Sequence, residues 1–188
     1  MSSRFRLSKL ASVTAIAFGV AAGVALAQQG QPEVGVAAVK LADKPYTFDT
    51  AEQHGIKVSV VVRGVPHPFS VAFLPNGDAL LAERGGALKL VHNAAGGKGG
   101  AAMLDPTPVA GAPETSAQRT GGLHDVVLHP QYARNSLVYF SYNKLGEPVA
   151  EAKPPRRQTQ LAIGRGRLEG GVLREVKEIF AGEWQAGS

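Results

Sequence analysis

An all-β fold is predicted for this chain of 188 residues, and three observations predict it. No amphipathic helix of ordinary length can be drawn after residue 28. Short runs rich in Val, Leu, Ile, Tyr and Phe recur instead, bounded by Gly, Pro, Asn or Asp. Hairpin-type turns stand between them, at Pro75-Asn76-Gly77-Asp78 and at Glu169-Gly170-Gly171. Strands at short spacing point to a barrel, a sandwich or a propeller.

Residues 1–27 read as a secretory signal peptide. Arg4, Arg6 and Lys9 form a basic start without acids, Leu10 to Leu26 is small and apolar, and Ala25-Leu26-Ala27 offers a small-x-small cleavage site before Gln28-Gln29. The run holds too much Ala and Gly for a comfortable membrane span, so a signal anchor is the alternative. Phe5 separates Arg4 from Arg6, so there is no twin-arginine pair, and general secretion to the periplasm or the exterior is expected.

Without this segment the net charge falls from +5 to +2. The pI of 9.6 therefore says little about acidic partners. No basic stripe with interleaved aromatics occurs, so neither a nucleic-acid partner nor a membrane span is expected of the mature chain. Cysteine is absent, which excludes disulfides and thiolate chemistry and leaves an ordinary apolar core to hold the fold.

The elements follow in order. Residues 28–55 read as a linker, with Lys44 to Thr50 an extended arm that packs an aromatic or two and His54 in a solvated loop. Ile56 to Arg63 reads as a strand. Val71–Leu74 and Ala79–Glu83 flank the Asn76-Gly77 turn, where both residues are expected at positive φ in a type I′ hairpin. Leu88–Val91 is the next strand. Asn93 to Ala102 is a glycine-rich surface loop and Met103 to Ala117 an irregular, proline-rich one.

Gly121-Gly122 then opens a strand over Val126-Val127-Leu128. The Pro130 to Asn135 segment turns the chain, being too short and polar for a helix, and Leu137 to Tyr142 alternates as a second strand. A glycine pair at a strand start lets the backbone approach something closely, either a neighbouring strand or a ligand. Asn143 to Thr159 reads as a second long insertion, and Gln160–Leu168 and Val172–Phe180 as two last strands.

Two stretches carry a resemblance. Gly121-Gly122-Leu123-His124-Asp125-Val126-Val127-Leu128-His129-Pro130, with the Val138-Tyr139-Phe140-Ser141-Tyr142 strand, resembles the glucose/sorbosone dehydrogenase family. So does the earlier Pro68-Phe69-Ser70-Val71-Ala72-Phe73-Leu74-Pro75-Asn76-Gly77, with Glu83-Arg84-Gly85-Gly86 after it. The resemblance covers residues 56 to 182. It implies the first two to three blades of a six-bladed β-propeller, since a blade takes about 40–45 residues. The chain is therefore expected to be the N-terminal fragment of a longer protein, residues 56–188 being the propeller part; a complete small β-sandwich is the competing reading.

The resemblance further implies a soluble dehydrogenase that uses pyrroloquinoline quinone (PQQ). Such an enzyme oxidises the C1 hydroxyl of an aldose or related polyol, with Ca²⁺ polarising the quinone and a quinone or cytochrome as electron acceptor. The family's catalytic histidine is expected beyond Ser188, so the chain holds no catalytic residue and is expected to be inactive alone. One cofactor contact falls inside it. Where the family has Gly-Gln-Gly-Gly-Leu, this chain has Arg119-Thr120-Gly121-Gly122-Leu123. Thr120, Arg119 and Gly121 are thus the candidate cofactor-binding residues. Thr120 keeps a donor and an acceptor but loses the reach of glutamine. Arg119 offers a cationic fork to a quinone carboxylate or stands as a solvated residue, and a shifted register would bring in Gln118. A non-catalytic propeller that binds carbohydrate or protein is the alternative.

Other polar residues have structural readings. His124-Asp125 is a strand-start pair or a polar pair at the propeller mouth, and His129 a turn cap acting through its ring N–H. His67-Pro68 is a strand lead-in, and Glu83-Arg84 an ion pair at the inner strand end or a pair facing the central cavity. Five histidines spread this widely give no metal-ligand spacing. Gly164-Arg165-Gly166-Arg167 lacks the context of a dinucleotide loop.

Overall fold

Hydrogen bonding gathers the strands into three antiparallel sheets in the computed structural model, which describes residues 40–186 apart from 98, 118–120 and 154. The signal peptide expected over residues 1–27 lies outside the described residues. Among these, no helix is long and apolar enough to cross a membrane. Residues 42–188 form one compact unit; of the other, Met1–Leu41, only residues 40 and 41 are described.

The arm folds back on itself. Strand β1 (Tyr46–Phe48) pairs with β2 (Ile56–Val58), placing Phe48 opposite Ile56. The Tyr46 and Phe48 rings stack at 6.1 Å, and the Tyr46 hydroxyl accepts the Ala42 N–H at 2.7 Å. His54 is exposed, 3.7 Å from Asp49, as a solvated loop residue would be. The strand expected to reach Arg63 stops at Val58. Beyond it Val62 and Val65 pack on Ala79, Leu81 and Val91, so apolar burial takes over from strand pairing there.

The first four-stranded sheet runs in chain order through β3 (Pro68–Phe73), β4 (Ala79–Glu83), β5 (Leu88–His92) and β6 (Met103–Leu104). At its Asn-Gly turn only Gly77 has positive φ, at 85°. The Gly77 N–H donates to the Leu74 carbonyl at 3.0 Å, and the Leu74 N–H to the Asp78 carbonyl at 2.9 Å. The hairpin is therefore a type I turn closed by a left-handed glycine, not the expected I′ pair. Asn76 uses its side chain instead, accepting the Asp78 N–H at 3.1 Å.

The second sheet holds β7 (Leu123–Leu128), β8 (Leu137–Pro148), β9 (Arg157–Glu169) and β10 (Val172–Gln185). Between β7 and β8 the expected polar turn contains one helical turn, α1 (Tyr132–Asn135). His129 does cap this turn, but as an acceptor: its Nδ1 takes the Gln131 N–H at 2.9 Å, with the Asn135 side-chain amide also 2.9 Å away. The insertion expected over Asn143 to Thr159 is mostly strand. Lys144 pairs with Glu178 at 2.9 Å, and Gly146 leaves room for the Trp184 ring, so β8 stays paired to Pro148. The β9–β10 hairpin turns through Gly170 (φ 56°) and Gly171 (φ 76°), both left-handed.

The main core lies between the two four-stranded sheets. Leu74, Leu80 and Leu88 from the first meet Leu123, Val126, Val138, Phe140 and Leu173 from the second. The crossing segment is bonded to both sheets: the Val109 N–H donates to Leu88 and the Leu173 N–H to Ala110, each at 2.7 Å. The far faces carry exposed apolar side chains as well, Phe69, Val71 and Phe73 on the first sheet and Val127, Leu161, Ile163 and Phe180 on the second, where Asp125 and Arg165 lie among them. A finished sandwich would alternate to polar side chains on its outer faces. Two packed four-stranded sheets with apolar side chains left exposed on their outer faces have the character of successive propeller blades, at the lower end of the two to three expected.

Two core features have measurable consequences. Gly164 and Gly166 in β9 are glycines because Phe140 and Leu173 occupy the space of their side chains; a Cβ on Gly164 would come 2.7 Å from Phe140 Cζ. Burial, then the charge and hydrogen bond of Glu178, holds the Tyr142 phenol above its usual range, so the stability it contributes is complete below pH ~10 and is lost as pH rises beyond. Gly164→Ala should lower the unfolding free energy by about 1–3 kcal/mol in urea. Gly97→Ala, with nothing within 4 Å of its Cβ, should stay within about 0.5 kcal/mol of wild type. Equal effects at the two positions would contradict this account of β9.

Candidate functional site

The glycine pair ahead of β7 sits where the leads into β3 and β7, the end of β4, the 114–117 segment and β8 converge. The Arg84 N–H donates to the His67 carbonyl at 3.0 Å, and the Arg84 carbonyl accepts the Leu123 N–H at 3.3 Å. One residue at the end of β4 thus joins the lead into β3 to the start of β7. Deeper in, the Val126 N–H donates to Ser70 Oγ at 2.9 Å and pins β7 along β3.

Gly122 explains the closeness. Its φ is +148°, and a Cβ there would lie 2.5 Å from the Arg84 carbonyl oxygen and 2.9 Å from Arg84 Cγ. Of the two readings of a glycine pair, Gly122 follows the first: the backbone it admits belongs to the neighbouring sheet.

Asn143, at the middle of β8, organises the polar side. Its Oδ1 accepts the Gly122 N–H at 3.3 Å and lies 2.5 Å from His124 Nε2. Because the Gly122 amide makes Oδ1 an acceptor, Nε2 donates to it, and Nδ1 stands at the other edge of the ring. The Asn143 N–H donates to the Gly122 carbonyl at 3.0 Å, while its own carbonyl accepts the Ser116 N–H at 2.8 Å and the Thr115 hydroxyl at 2.9 Å. The His124 ring stacks on the half-exposed Phe69 at 5.7 Å.

Arg84 completes the group. Its Nε donates to the Gly121 carbonyl at 3.2 Å and its Nη2 to the Ala117 carbonyl at 3.0 Å. The ion pair expected between Glu83 and Arg84 does not form. Successive residues of a strand point to opposite faces, so Glu83 turns inward, is buried, and lies 3.5 Å from Lys89 Nζ. Among the described residues its Oε1 makes no hydrogen bond, so the contact with Lys89 is one of charge.

Of the candidate cofactor residues, Gly121 stands at this convergence with its carbonyl held by Arg84. Arg119 and Thr120, with Gln118, lie outside the described residues. Of the two readings of His124, the structure shows the strand-start one: it is the second residue of β7, with its ring held between Asn143 and Phe69. His67 is the lead-in expected, with a left-handed backbone at φ 45°. Sequence reading missed Asn143 and Ser70, whose roles rest on partners 19 to 21 and 56 residues away. Among the described residues no group of three or more His, Asp or Glu side chains is placed to hold a metal ion.

Comparison with known proteins gives the family and the fold. Residues 65–188 match the family described as Glucose / Sorbosone dehydrogenase. An uncharacterized protein of Synechocystis is 35% identical over 176 residues, 86% of this chain and 39% of that protein. The aldose sugar dehydrogenase YliI of Escherichia coli is 36% identical over 114 residues, 60% of this chain and 26% of that protein. Two solved structures of glucose dehydrogenases superpose with TM-scores of 0.54 and 0.52 at 35% and 36% identity. Each aligns with 65% of this chain and with 32% and 34% of its own. The chain thus spans less than two-fifths of the curated relatives it matches.

Two substitutions separate the roles at this junction. Asn143→Ala removes the acceptor of the Gly122 N–H and His124 Nε2–H and should cost about 1–3 kcal/mol in a denaturant titration. Gly122→Ala sets a methyl against the Arg84 backbone and should cost more than about 2 kcal/mol. An alanine at 122 as stable as wild type would show that the two sheets do not meet there.

Proposed function

This chain belongs to the glucose/sorbosone dehydrogenase family, and from that premise we propose that it forms part of an exported, PQQ-dependent aldose dehydrogenase. The observation that carries the proposal is the Gly121-Gly122-Leu123 lead into β7. Residues that resemble the family's cofactor loop end at the point where both sheets, Arg84, His124 and Asn143 converge.

The described residues fit the rim of a quinone site rather than its body. Arg84 contributes a cation with two N–H groups on carbonyls, Gly121 a peptide, and His124 a ring edge beside Phe69. The calcium ligands and the catalytic histidine are proposed to come from other parts of the protein, since the relatives extend well beyond the length matched here. When bound, the quinone would take the hydride from C1 of the sugar as a base takes the hydroxyl proton. The part of this chain is to position: Gly121 shapes the approach, and Arg119 and Thr120 are the proposed contacts. Export to the periplasm rests on the 1–27 signal sequence.

Thr120, in the place where the family has glutamine, favours a second reading: a propeller that binds carbohydrate without oxidising it. One experiment separates the two. The full-length protein is given PQQ and Ca²⁺, and reduction of an electron-accepting dye is followed with a panel of aldoses. Reduction that requires the quinone is expected. No reduction above the cofactor-free control removes the dehydrogenase reading and leaves the binding propeller.

A further inference from the structure

The chain has one Asn-Gly step, Asn76-Gly77; its other asparagines, Asn93, Asn135 and Asn143, precede Ala, Ser and Lys. Asparagine is a thermally labile residue, most of all before glycine, where no side chain screens the next peptide nitrogen. In the reaction the Gly77 nitrogen gives its proton to solvent and bonds to Asn76 Cγ, and ammonia leaves. Water then opens the succinimide ring to an aspartyl or isoaspartyl residue. Asn76 is exposed at the turn between β3 and β4, so water and base reach it.

Both reacting groups are nevertheless held. The Gly77 N–H donates to the Leu74 carbonyl at 3.0 Å. Asn76 Oδ1 accepts the Asp78 N–H at 3.1 Å, and Asn76 Nδ2 donates to Asp78 Oδ2 at 2.8 Å. Asp78 is buried and anchored in turn, its Oδ1 accepting the Asn93 N–H at 2.9 Å. One residue thus grips the Asn76 amide at both ends from a fixed base, and a carboxylate acceptor makes the stronger kind of bond. Cyclisation requires the amide to let go of Asp78 and the Gly77 N–H to leave Leu74. The product cannot restore the grip. An aspartate at 76 sets a second carboxylate against Asp78, and the isoaspartyl form adds a methylene to the main chain of a tight turn.

We propose that Asn76-Gly77 is a deamidation site and that Asp78, through its grip on the Asn76 amide, sets the rate at which it converts. No quinone or sugar is involved, so the fate of the dehydrogenase reading leaves the proposal untouched.

The full-length protein is kept in mildly alkaline buffer below its unfolding midpoint, and conversion at each asparagine is followed by peptide mass spectrometry. Four samples are compared: folded wild type, wild type unfolded in guanidinium chloride, Asp78→Asn and Gly164→Ala. Asp78→Asn keeps the shape and the Asn93 contact but turns the acceptor of Asn76 Nδ2 into a donor. Gly164→Ala weakens the other sheet without touching the turn. Asn76 should convert first among the asparagines, and at least about tenfold faster unfolded than folded. Loss of the charged acceptor should speed conversion in folded Asp78→Asn by about tenfold, with Gly164→Ala within about twofold of wild type.

Equal rates in folded and unfolded wild type would overturn the proposal, and this comparison stands whether or not Asp78→Asn folds. Conversion of Asn93, Asn135 or Asn143 ahead of Asn76 would overturn the site. A rate in folded Asp78→Asn within about twofold of wild type would overturn the role of Asp78. Gly164→Ala converting as fast as Asp78→Asn would do the same, since global unfolding would then be the route.

Discussion

The end of β4 and the start of β7 approach so closely that a single methyl group will not fit between them. A Cβ at Gly122 would stand 2.5 Å from the Arg84 carbonyl, and the other features of the junction depend on that missing atom. With it absent, the Leu123 N–H reaches Arg84, the Arg84 stem lies along the glycine, and its guanidinium reaches the loop carbonyls. The same approach brings β7 alongside β3, where Ser70 holds the Val126 amide. Polar contacts at one end and the Leu80, Leu88, Val126 and Phe140 core further along hold the two blades together.

The division of labour follows from burial. Inside, apolar side chains and the bare backbone of Gly164 and Gly166 let the second sheet pack against the first. At the junction nearly every polar group has a local partner, and Asn143 alone serves the Gly122 peptide, His124 and the 115–116 backbone and hydroxyl. Groups held this way lose little further freedom when a ligand arrives, which is what a binding surface gains from being built before it is filled. Glu83 is held differently, a buried carboxylate whose Oε1 has no hydrogen bond among the described residues and lies 3.5 Å from Lys89 Nζ.

Much of the fold was legible because its signals are local. Alternation over Leu137 to Tyr142, the Asn76-Gly77 hairpin and the Gly170-Gly171 turn each depend on a few neighbouring residues. What escaped depends on distant partners. Asn143 and Lys144 read as loop residues until Gly122 and Glu178 are brought to them. Ile56 to Arg63 looked like one strand because the run is apolar, yet Val62 buries itself without pairing. At the site, Gly121 and Gly122 announced a close approach, but only the fold shows that Gly122 spends it on the other blade. The Glu83-Arg84 pair shows the same limit from the other side: adjacent charges in a strand point apart.

The two ends of the blades offer a cofactor different surroundings. The polar junction at Gly121 lies at one end of β3 and β7, and the Asn76–Asp78 turn, with His92 3.7 Å from Asp78, lies at the other end of β3. A crystal structure of the full-length protein with PQQ bound decides between them. Quinone density in contact with the Gly121 peptide and its flanking loop is the result predicted here. Quinone density at the Asn76 end, or away from both blades, would contradict it.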